Sequence, residues 1–404
     1  QLSVIASCQP SAVIVQDLGI ARIAREFFPS LELHASTQLV AHNLEGVLAL
    51  GELGFKRVVL ARELSIAEIT SISKRCGDIE LECFIHGALC YSISGLCLFS
   101  AMEKNRSGNR GKCAYCCRLP YESENGGKSL AFSMKDFRLG DDVKKLVDAS
   151  VASLKIEGRM KSPLYVAAAT AYYRAILDGD KSAANVALKN LETVYSRRTT
   201  DLYFNGANSD VIDETSLGHL GTFVGKLKRV TKDRDGRSWL RFHTMRALER
   251  HDGLQIPAPQ GGKPLGFGIT EMRTAISRSN QFEVPADCDV EILLPDDERE
   301  EFKPLKYVKA GTNIYCSMSN EVKRLYPVPS FRPADYCGYA KTDFKVELTP
   351  RLITVTAEVE GVLAKASVEG EFTQAKNPER TYEAIEKAFS KLGFSTNFST
   401  TSSA

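Results

Sequence analysis

"VASLKIEGRMKSPLYVAAATAYYRAILDG", residues 151–179, contains a strand and a helix in direct succession. In "SLKIE" apolar and polar side chains alternate, which is typical of a half-buried strand. From Ser162 onward the apolar residues recur at helical spacing, with Pro163 near the start of the helix and Gly179 just past its end. The segment therefore predicts one strand–helix unit.

The same unit recurs toward the N-terminus. Short apolar runs begin roughly every 20–25 residues with helical segments between them, which indicates a parallel sheet. We interpret residues 1–200 as an α/β catalytic domain of the TIM-barrel type. A closed barrel needs eight units in about 250 residues, and only about five or six are recognisable here, so we expect that its first strands are missing from a chain that starts at Gln1. The predicted strands lie at 11–17, 31–36, 56–63, 79–87 and 151–159.

Polar side chains stand at the end of each predicted strand. In barrel enzymes the carboxyl ends of the strands carry the active site, so we predict that these residues bind or transform the substrate. For "KIEGR" a buried network of salt bridges inside the barrel is an equally good interpretation. His86 is better explained as a supporting hydrogen-bond donor than as a metal ligand. The predicted catalytic set is His34, Gln38, Arg62, Glu63, His86, Lys155, Glu157 and Arg159.

Five of the 11 cysteines fall between residues 90 and 117. Cys90, Cys97, Cys113 and Cys117 give the spacing C-x6-C-x15-C-x3-C, and thiolates suit zinc or an iron–sulfur cluster. Zinc sites usually pair their ligands two to four residues apart, so the six-residue spacer favours a larger cluster. Cys116 is an alternative to Cys117. Small buried hydrophobic side chains and a catalytic thiol paired with a histidine remain open alternatives.

The amino-acid composition excludes few classes of protein. Apolar residues make up 43% and charged residues 25% of the chain, and the net charge is +2, so a nucleic-acid surface would have to be local. We find no apolar run near the roughly 20 residues that span a bilayer, and we predict no membrane partner. The odd, uneven distribution of cysteines is typical of a reducing compartment, and the cytoplasm is the expected location.

The character of the sequence changes after residue 200. We predict a β-rich domain at 201–340 and an α+β module at 341–404, with three strands, one helix and a truncated end. Residues 219–250 carry nine basic and three acidic side chains. This stretch could bind RNA phosphates, with Trp239 and Phe242 stacking on bases, although a solvated β surface explains the charge as well. The predicted RNA-binding residues are Lys226, Lys228, Arg229, Arg237 and Trp239.

Three segments carry a family resemblance: "ECFIHGALCYSISGLC" (82–97), "NRGKCAYCCRLPY" (109–121) and "SLKIEGRMKSPLYVAAATAYYRAI" (153–176). They closely resemble the collagenase-like peptidase family U-32, over residues 10 to about 230. "VYSRRTTDLYF" (194–204) departs from the "SRGFT" that is usual in the family. Later segments are similar to the long branch of the family, which includes an enzyme that forms 5-hydroxycytidine in large-subunit ribosomal RNA.

The resemblance implies a barrel-type domain with an oxygen-sensitive 4Fe–4S cluster on Cys90, Cys97, Cys113 and Cys117. Members hydroxylate a ribosomal cytidine, a transfer-RNA uridine or a ubiquinone precursor, and the RNA-acting members depend on a prephenate-derived oxygen donor. Family chains begin with about three further strand–helix units, and the long branch continues past residue 404.

The sequence thus favours an RNA hydroxylase that forms a 5-hydroxypyrimidine, with 5-hydroxycytidine in 23S ribosomal RNA as the first choice and transfer RNA as the second. A collagenase-like peptidase is the alternative. It would need Cys90 or a neighbouring cysteine as the nucleophile and His86 or His34 as the base, because neither H-E-x-x-H nor G-x-S-x-G occurs in the chain. A non-enzymatic scaffold that carries a cluster is a third hypothesis.

Overall fold

The computed structural model describes residues 1–122, 124, 126–214, 218–257, 264–274, 276–277, 279–295, 308–327, 343–359, 362–373 and 377–389. The chain divides into two compact units. One consists of Gln1–Val13, Asp17–Leu33 and Pro329–Ala404, and the other of Ile14–Gln16 and His34–Val328. None of the described helices has the length and apolar character needed to cross a membrane.

Strands and helices alternate through the first 200 residues, as the sequence predicts. The strands are β1 (Val13–Val15), β2 (Leu33–Ala35), β3 (Arg57–Val59), β4 (Glu80–Ala88), β5 (Tyr121–Glu122), β6 (Lys128–Ser129), β7 (Asp136–Arg138), β8 (Ser153–Ile156) and β9 (Thr199–Thr200). The helices are α1 (Leu2–Ser7), α2 (Leu18–Phe27), α3 (Leu44–Glu52), α4 (Ile66–Ser73), α5 (Phe99–Lys104), α6 (Val143–Asp148), α7 (Pro163–Leu177) and α8 (Lys181–Val194).

These strands form a mixed sheet in the order β1-β2-β3-β4-β7-β9, with β8 also paired to β4. β2, β3, β4 and β8 run parallel, β7 is antiparallel to β4, and β9 is parallel to β7. Within the described ranges the strands follow this open path and do not close. The predicted α/β architecture with a parallel sheet is therefore confirmed, whereas the closed TIM-type barrel is not.

α7 shows how the sequence sets the local structure. The Ser162 hydroxyl accepts a hydrogen bond from the Tyr165 backbone N–H at 3.3 Å, and Pro163 occupies the first turn, where its missing N–H costs nothing. The helix ends just before Gly179, which has a φ of +80°. Its buried side chains follow the helical period: Tyr165, Ala168, Ala169, Tyr172, Tyr173 and Ile176.

The region after residue 220 is β-rich, as predicted. Its elements are β10 (Thr222–Lys232), β11 (Ser238–Thr244), β12 (Leu248–Glu249), β13 (Gly253–Ile256), β14 (Leu265–Gly268), β15 (Met272–Thr274), β16 (Glu283–Val284), β17 (Cys288–Leu293), β18 (Asn313–Met318) and α9 (Asn320–Leu325). Seven of the strands form a curled antiparallel sheet in the order β14-β13-β18-β10-β11-β17-β15. Leu227, Leu240 and Phe242 belong to the buried core of this sheet.

The C-terminal elements match the predicted three strands and one helix. β19 (Asp343–Leu348), β20 (Leu352–Val359) and β21 (Val362–Glu369) form an antiparallel meander, and α10 (Pro378–Phe389) follows. The predicted domain boundary at 200 lies inside the second compact unit, and the one at 340 lies outside the described residues. Both boundaries, and the truncated end after residue 394, stay predictions.

Candidate active site around the cysteine loop

The cysteine-rich segment begins where β4 ends. β4 stops at Ala88, and Cys90 opens a loop that turns through Gly95, at a φ of +76°, before it reaches Cys97. α5 then leads to Cys113, and a single 3₁₀ turn at Cys116–Arg118 completes the segment. We call residues 90–117 the cysteine loop. It extends from the carboxyl end of a central strand, which is where α/β sheets usually place their sites.

Four thiols of the cysteine loop lie within electrostatic range of one another. The Cys90 thiol is hydrogen-bonded to the Cys97 sulfur, and the Cys117 thiol interacts with Cys90, Cys97 and Cys113. Cys116 differs from them because it is only 2% exposed. In the ranges given above, no three Cys, His, Asp or Glu side chains are arranged to hold a single metal ion.

Hydrogen-bond donors point at the sulfur atoms. The Tyr115 backbone N–H donates to Cys113 Sγ at 3.4 Å, and the Ser100 hydroxyl donates to the same sulfur at 3.8 Å. Burial alone would raise the pKa of Cys97, but hydrogen bonds from the Ser92 hydroxyl and from backbone N–H groups outweigh it and lower that pKa. Burial raises the pKa of Cys90 and of Cys117. The loop therefore favours the thiolate form at Cys97.

Two predicted strand-end residues hold the first turn of the cysteine loop. The Glu63 carboxylate accepts hydrogen bonds from the Ser94 backbone N–H at 2.8 Å and from its hydroxyl at 3.1 Å. The Arg62 guanidinium donates to the Ala88 carbonyl at 3.3 Å and lies 4.9 Å from the centre of the Phe84 ring. Because Ser94 has a φ of +49°, these bonds stabilise a turn that a side-chain-bearing residue seldom adopts.

Lys155 belongs to an ion-pair network that includes Glu82, a residue that the sequence did not lead us to predict. Its ammonium group is 2.7 Å from the Glu82 carboxylate, which also accepts a hydrogen bond from the Ser153 hydroxyl at 2.8 Å. Burial would raise the pKa of Glu82, but the bonds from Lys155 and Ser153 and the charge of Arg57 lower it. The available signal for Glu82 was an acidic residue followed directly by the apolar run of β4, two residues after Glu80. This network matches the salt-bridge interpretation of Lys155.

Glu157 and Arg159 connect β8 to the cysteine loop. The Glu157 carboxylate accepts the Arg159 backbone N–H at 2.7 Å, and the Arg159 guanidinium donates to the Gly111 carbonyl at 2.5 Å. Gly111 has a φ of +79°, and a Cβ there would lie 2.8 Å from the Arg159 guanidinium. Both predicted residues therefore help to position the chain between Cys97 and Cys113.

The remaining predicted residues are placed differently. His86 Nδ1 is 3.2 Å from the Tyr173 hydroxyl, which itself donates to the Ile85 carbonyl, so the imidazole belongs to a structural network with α7. Burial, with the charges of Arg138 and Lys161, lowers the pKa of His86 to about 4. His34 is buried in β2, next to Arg57 of β3. Gln38 lies in a 3₁₀ turn whose Ser36 hydroxyl accepts the Gln38 backbone N–H.

A group of cations next to Cys117 was missed by the sequence analysis. Arg197 forms a buried ion pair with Asp136 at 2.6 Å, and its Nε has no hydrogen-bond partner among the described residues. Arg118 is hydrogen-bonded to the Met134 carbonyl, to Ser133 and, at 3.2 Å, to the Leu89 carbonyl. Only its position directly after Cys117 was a signal in the sequence.

Lys161 completes this cationic cluster, which we define as Arg118, Lys161 and Arg197. Its Nζ lies 3.1 Å from the centre of the Tyr195 ring. Burial lowers the pKa of Lys161 to about 8, although the charge of Asp136 acts in the opposite direction. The three cations share one buried carboxylate, Asp136, and the cluster therefore has the charge to attract an anion.

The predicted RNA-binding residues divide into paired and unpaired cations. Lys226 and Arg229 are exposed, and within the described part of the chain no ion pair involves them. Lys228 pairs with Asp289 at 2.7 Å, and Arg237 pairs with Asp233 at 3.0 Å.

Trp239 and Phe242 are not open to bases. Trp239 is 2% exposed, and its ring lies between the guanidinium groups of Arg273, at 3.9 Å, and Arg237, at 5.7 Å. Its Nε1 donates to Asp233 at 3.0 Å, and Phe242 is fully buried. Phe242 belongs to the buried core of the β-rich region, and Trp239 is buried against Asp233, Arg237 and Arg273, so we do not retain the stacking role.

Comparison with protein families shows that the chain belongs to Peptidase family U32, whose model matches residues 1–213. It is 30% identical over 95% of its length to the 23S rRNA 5-hydroxycytidine synthase of Escherichia coli (strain K12), of which it covers 57%. It is 38% identical to tRNA hydroxylation protein P1 of Bacillus subtilis (strain 168), over 44% of each chain.

A third relative carries a different name. The chain is 33% identical to a collagenase of Porphyromonas gingivalis, over 49% of this chain and 53% of that protein. The chain thus spans about half the length of the curated relatives it matches. A solved structure of a bacterial selenocysteine-specific elongation factor matches 86% of this chain and 49% of its own, at 10% identity and a TM-score of 0.19, too low to indicate a shared fold.

Proposed function

We propose that this protein is an RNA hydroxylase that forms a 5-hydroxypyrimidine with the help of a 4Fe–4S cluster held by Cys90, Cys97, Cys113 and Cys117. The observation that carries the proposal is the convergence of these four thiols at the end of β4. The names of the relatives, which concern rRNA and tRNA hydroxylation, support RNA as the substrate class. Ribosomal RNA of the cytoplasm is the first choice of substrate.

Four cysteine thiols are the number and type of ligand that a 4Fe–4S cluster needs. Around a single zinc ion all thiolates lie about 2.3 Å from the same atom, whereas a four-iron cluster binds each thiolate through a different iron, so its ligands stand farther apart. Hydrogen bonds to the sulfurs, such as the one from Tyr115, tune clusters of this kind. Arg62 and Arg118 add positive charge beside Cys90 and Cys117. When bound, the cluster would supply redox chemistry.

Cys117 is the better fourth ligand than Cys116. The Cys117 thiol interacts with the other three thiols, whereas the Cys116 side chain is packed into the protein and is only 2% exposed. A thiol that is packed into the protein acts as a small apolar side chain. We therefore assign Cys116 a packing role.

The cationic cluster fits the oxygen donor that we expect from the family. A prephenate-derived donor carries carboxylates, which bind well to guanidinium and ammonium groups. Arg118 and Arg197 are held by neighbouring backbone and by Asp136, and Lys161 lies on the Tyr195 ring with a pKa of about 8. A bound carboxylate would favour the charged form of Lys161. This group would hold the donor beside Cys117.

A peptidase is the second candidate, because one relative is named a collagenase. A thiol peptidase needs a histidine that reaches the nucleophile. The ring of His86 is instead engaged with Tyr173 and is tilted by 40° to the ring of Tyr165, at 6.0 Å between ring centres. This geometry does not favour a Cys90–His86 pair.

The proposal is tested by nucleoside mass spectrometry on RNA from a strain that lacks the gene. We expect that one 5-hydroxypyrimidine disappears from ribosomal or transfer RNA and returns with the wild-type gene but not with Cys113→Ala. A Cys288→Ala gene, altered in the β-rich region, serves as the control and should restore the product. An unchanged nucleoside profile in the deletion strain would rule out the hydroxylase.

A further inference from the structure

The chain between the second and third cysteines carries unpaired positive charge. Residues 104–112, which we call the basic loop, contain Lys104, Arg106, Arg110 and Lys112 and no acidic residue. All four cations are exposed, and none of them forms an ion pair with another described residue. Unpaired cations are free to bind phosphates, since no carboxylate has to be displaced first.

Hydrogen bonds fix the basic loop to the cysteine loop and to β8. The Asn109 side-chain oxygen accepts the Cys97 backbone N–H at 2.9 Å, and Gln16 donates to the Asn109 carbonyl at 2.9 Å. Arg159 holds the Gly111 carbonyl. The backbone that carries the cations is therefore tied to Cys97, to Gln16 and to Arg159.

An exposed aromatic ring lies directly after the third cysteine. Tyr115 is 55% exposed and has a φ of +56°, a backbone region that residues with side chains rarely occupy. Its backbone N–H is used by Cys113 Sγ. The cysteine turn thus fixes the backbone of Tyr115 beside Cys113 Sγ while it leaves the ring in solvent.

We propose that the basic loop and Tyr115 form the RNA-binding surface of this active site, in which the loop cations bind the backbone phosphates and the Tyr115 ring stacks on the base presented to the thiols. The combination matches the chemistry by which proteins bind unpaired RNA, a cationic track beside aromatic rings on which splayed bases stack. The inference rests on the proposed function and names the surface that the substrate contacts.

Two variants of the full-length protein, purified without oxygen, test the surface against a labelled single-stranded oligoribonucleotide in a salt titration. The first replaces Lys104, Arg106, Arg110 and Lys112 by Gln. Its matched control replaces Lys226, Arg229, Lys232 and Arg234 by Gln, which removes the same charge from β10 and its turn. Each phosphate contact on a single strand contributes roughly 0.7 to the slope of log affinity against log salt. We therefore expect the steepness of this slope to fall by about 3 in the first variant, and by much less in the control.

The second variant, Tyr115→Leu, removes the ring. We expect the affinity to fall about ten-fold or more at constant salt, with an unchanged salt slope, because stacking carries no charge. Tyr115→Phe keeps the ring and should bind as the wild type does. Iron content should match the wild type in all variants.

The outcomes distinguish a failure of the proposed RNA-binding surface from a failure of the proposed hydroxylase function. If the wild type binds RNA and the basic-loop and Tyr115→Leu variants bind equally well, the inference is overturned and the hydroxylase proposal stands. A wild type that binds polyglutamate as tightly as RNA would also overturn it, because general charge would then explain the contact. A wild type without affinity for RNA would contradict both proposals.

Discussion

The basic loop and the β10–β11 ribbon carry the same kind of sequence, several cations with aromatic residues close by, but the fold buries the aromatic ring of the ribbon and exposes that of the basic loop. In the ribbon, Lys228 is paired with Asp289 and Arg237 with Asp233, and Trp239 is buried, although Lys226 and Arg229 are exposed and have no ion pair among the described residues. In the basic loop no cation forms an ion pair with a described residue, and Tyr115 is exposed. The comparison teaches that a count of charges along the chain does not identify a nucleic-acid surface. Whether the cations are paired and the aromatic rings are buried in the folded protein decides whether a segment can bind nucleic acid.

The largest expected effect comes from a buried ion pair outside both regions, which we compare with an exposed ion pair of the ribbon. Asp136→Asn leaves Arg197 buried without its carboxylate, and we expect the free energy of unfolding to fall by about 3–5 kcal/mol. Lys228→Gln breaks an exposed pair in the ribbon and should cost less than about 1 kcal/mol. Urea unfolding followed by circular dichroism measures both. Equal losses would contradict the difference in burial between the two ion pairs.

Trp239→Phe tests whether the buried ring of the ribbon contributes to stability and not to RNA binding. We expect the free energy of unfolding to fall by about 1–2 kcal/mol, because a buried ring shrinks and loses its bond to Asp233. RNA affinity should stay at the wild-type value, since the ring is not accessible. A ten-fold loss of affinity without a loss of stability would return Trp239 to the RNA-binding surface.

A smaller effect is expected from pH at the cationic cluster. The pKa of Lys161 is about 8 in the folded protein and is ordinarily near 10.5, so between these values the unfolded chain binds more protons. Stability contributed by Lys161 should therefore rise with pH from about 8 to about 10.5, by on the order of 1 kcal/mol after allowance for its partial exposure. The difference in unfolding free energy between wild type and Lys161→Met, measured across this range, should show the rise. A difference in unfolding free energy that does not change with pH would mean that Lys161 is solvated in the folded protein.

Much of the fold could be predicted because its signals are local. The alternation of short apolar strands with capped helices, such as Ser162 and Pro163 before α7, depends on neighbours in the chain. The barrel could not be judged in this way, because closure depends on pairing between distant strands. In the described residues β7 runs antiparallel to β4, which no local pattern indicated.

The candidate site, like the fold, has features that could be predicted from the sequence and features that could not. Cysteine spacing indicated a common centre, and strand ends indicated Arg62 and Glu63, which hold the Cys90–Cys97 turn. The cationic cluster was missed because Arg118 and Arg197 meet only through tertiary structure. His86 was expected to be a supporting hydrogen-bond group at a strand end; its partners are tyrosines of α7, which a strand pattern cannot reveal.

The most direct test of the central claim is the iron and sulfide content of protein purified without oxygen. We predict close to four irons and four sulfides per chain, with a broad visible absorption that is lost in Cys117→Ala and kept in Cys116→Ala, the adjacent buried cysteine. Circular dichroism verifies that both variants fold. Zinc in place of iron, or equal loss of iron in the two variants, would contradict the account.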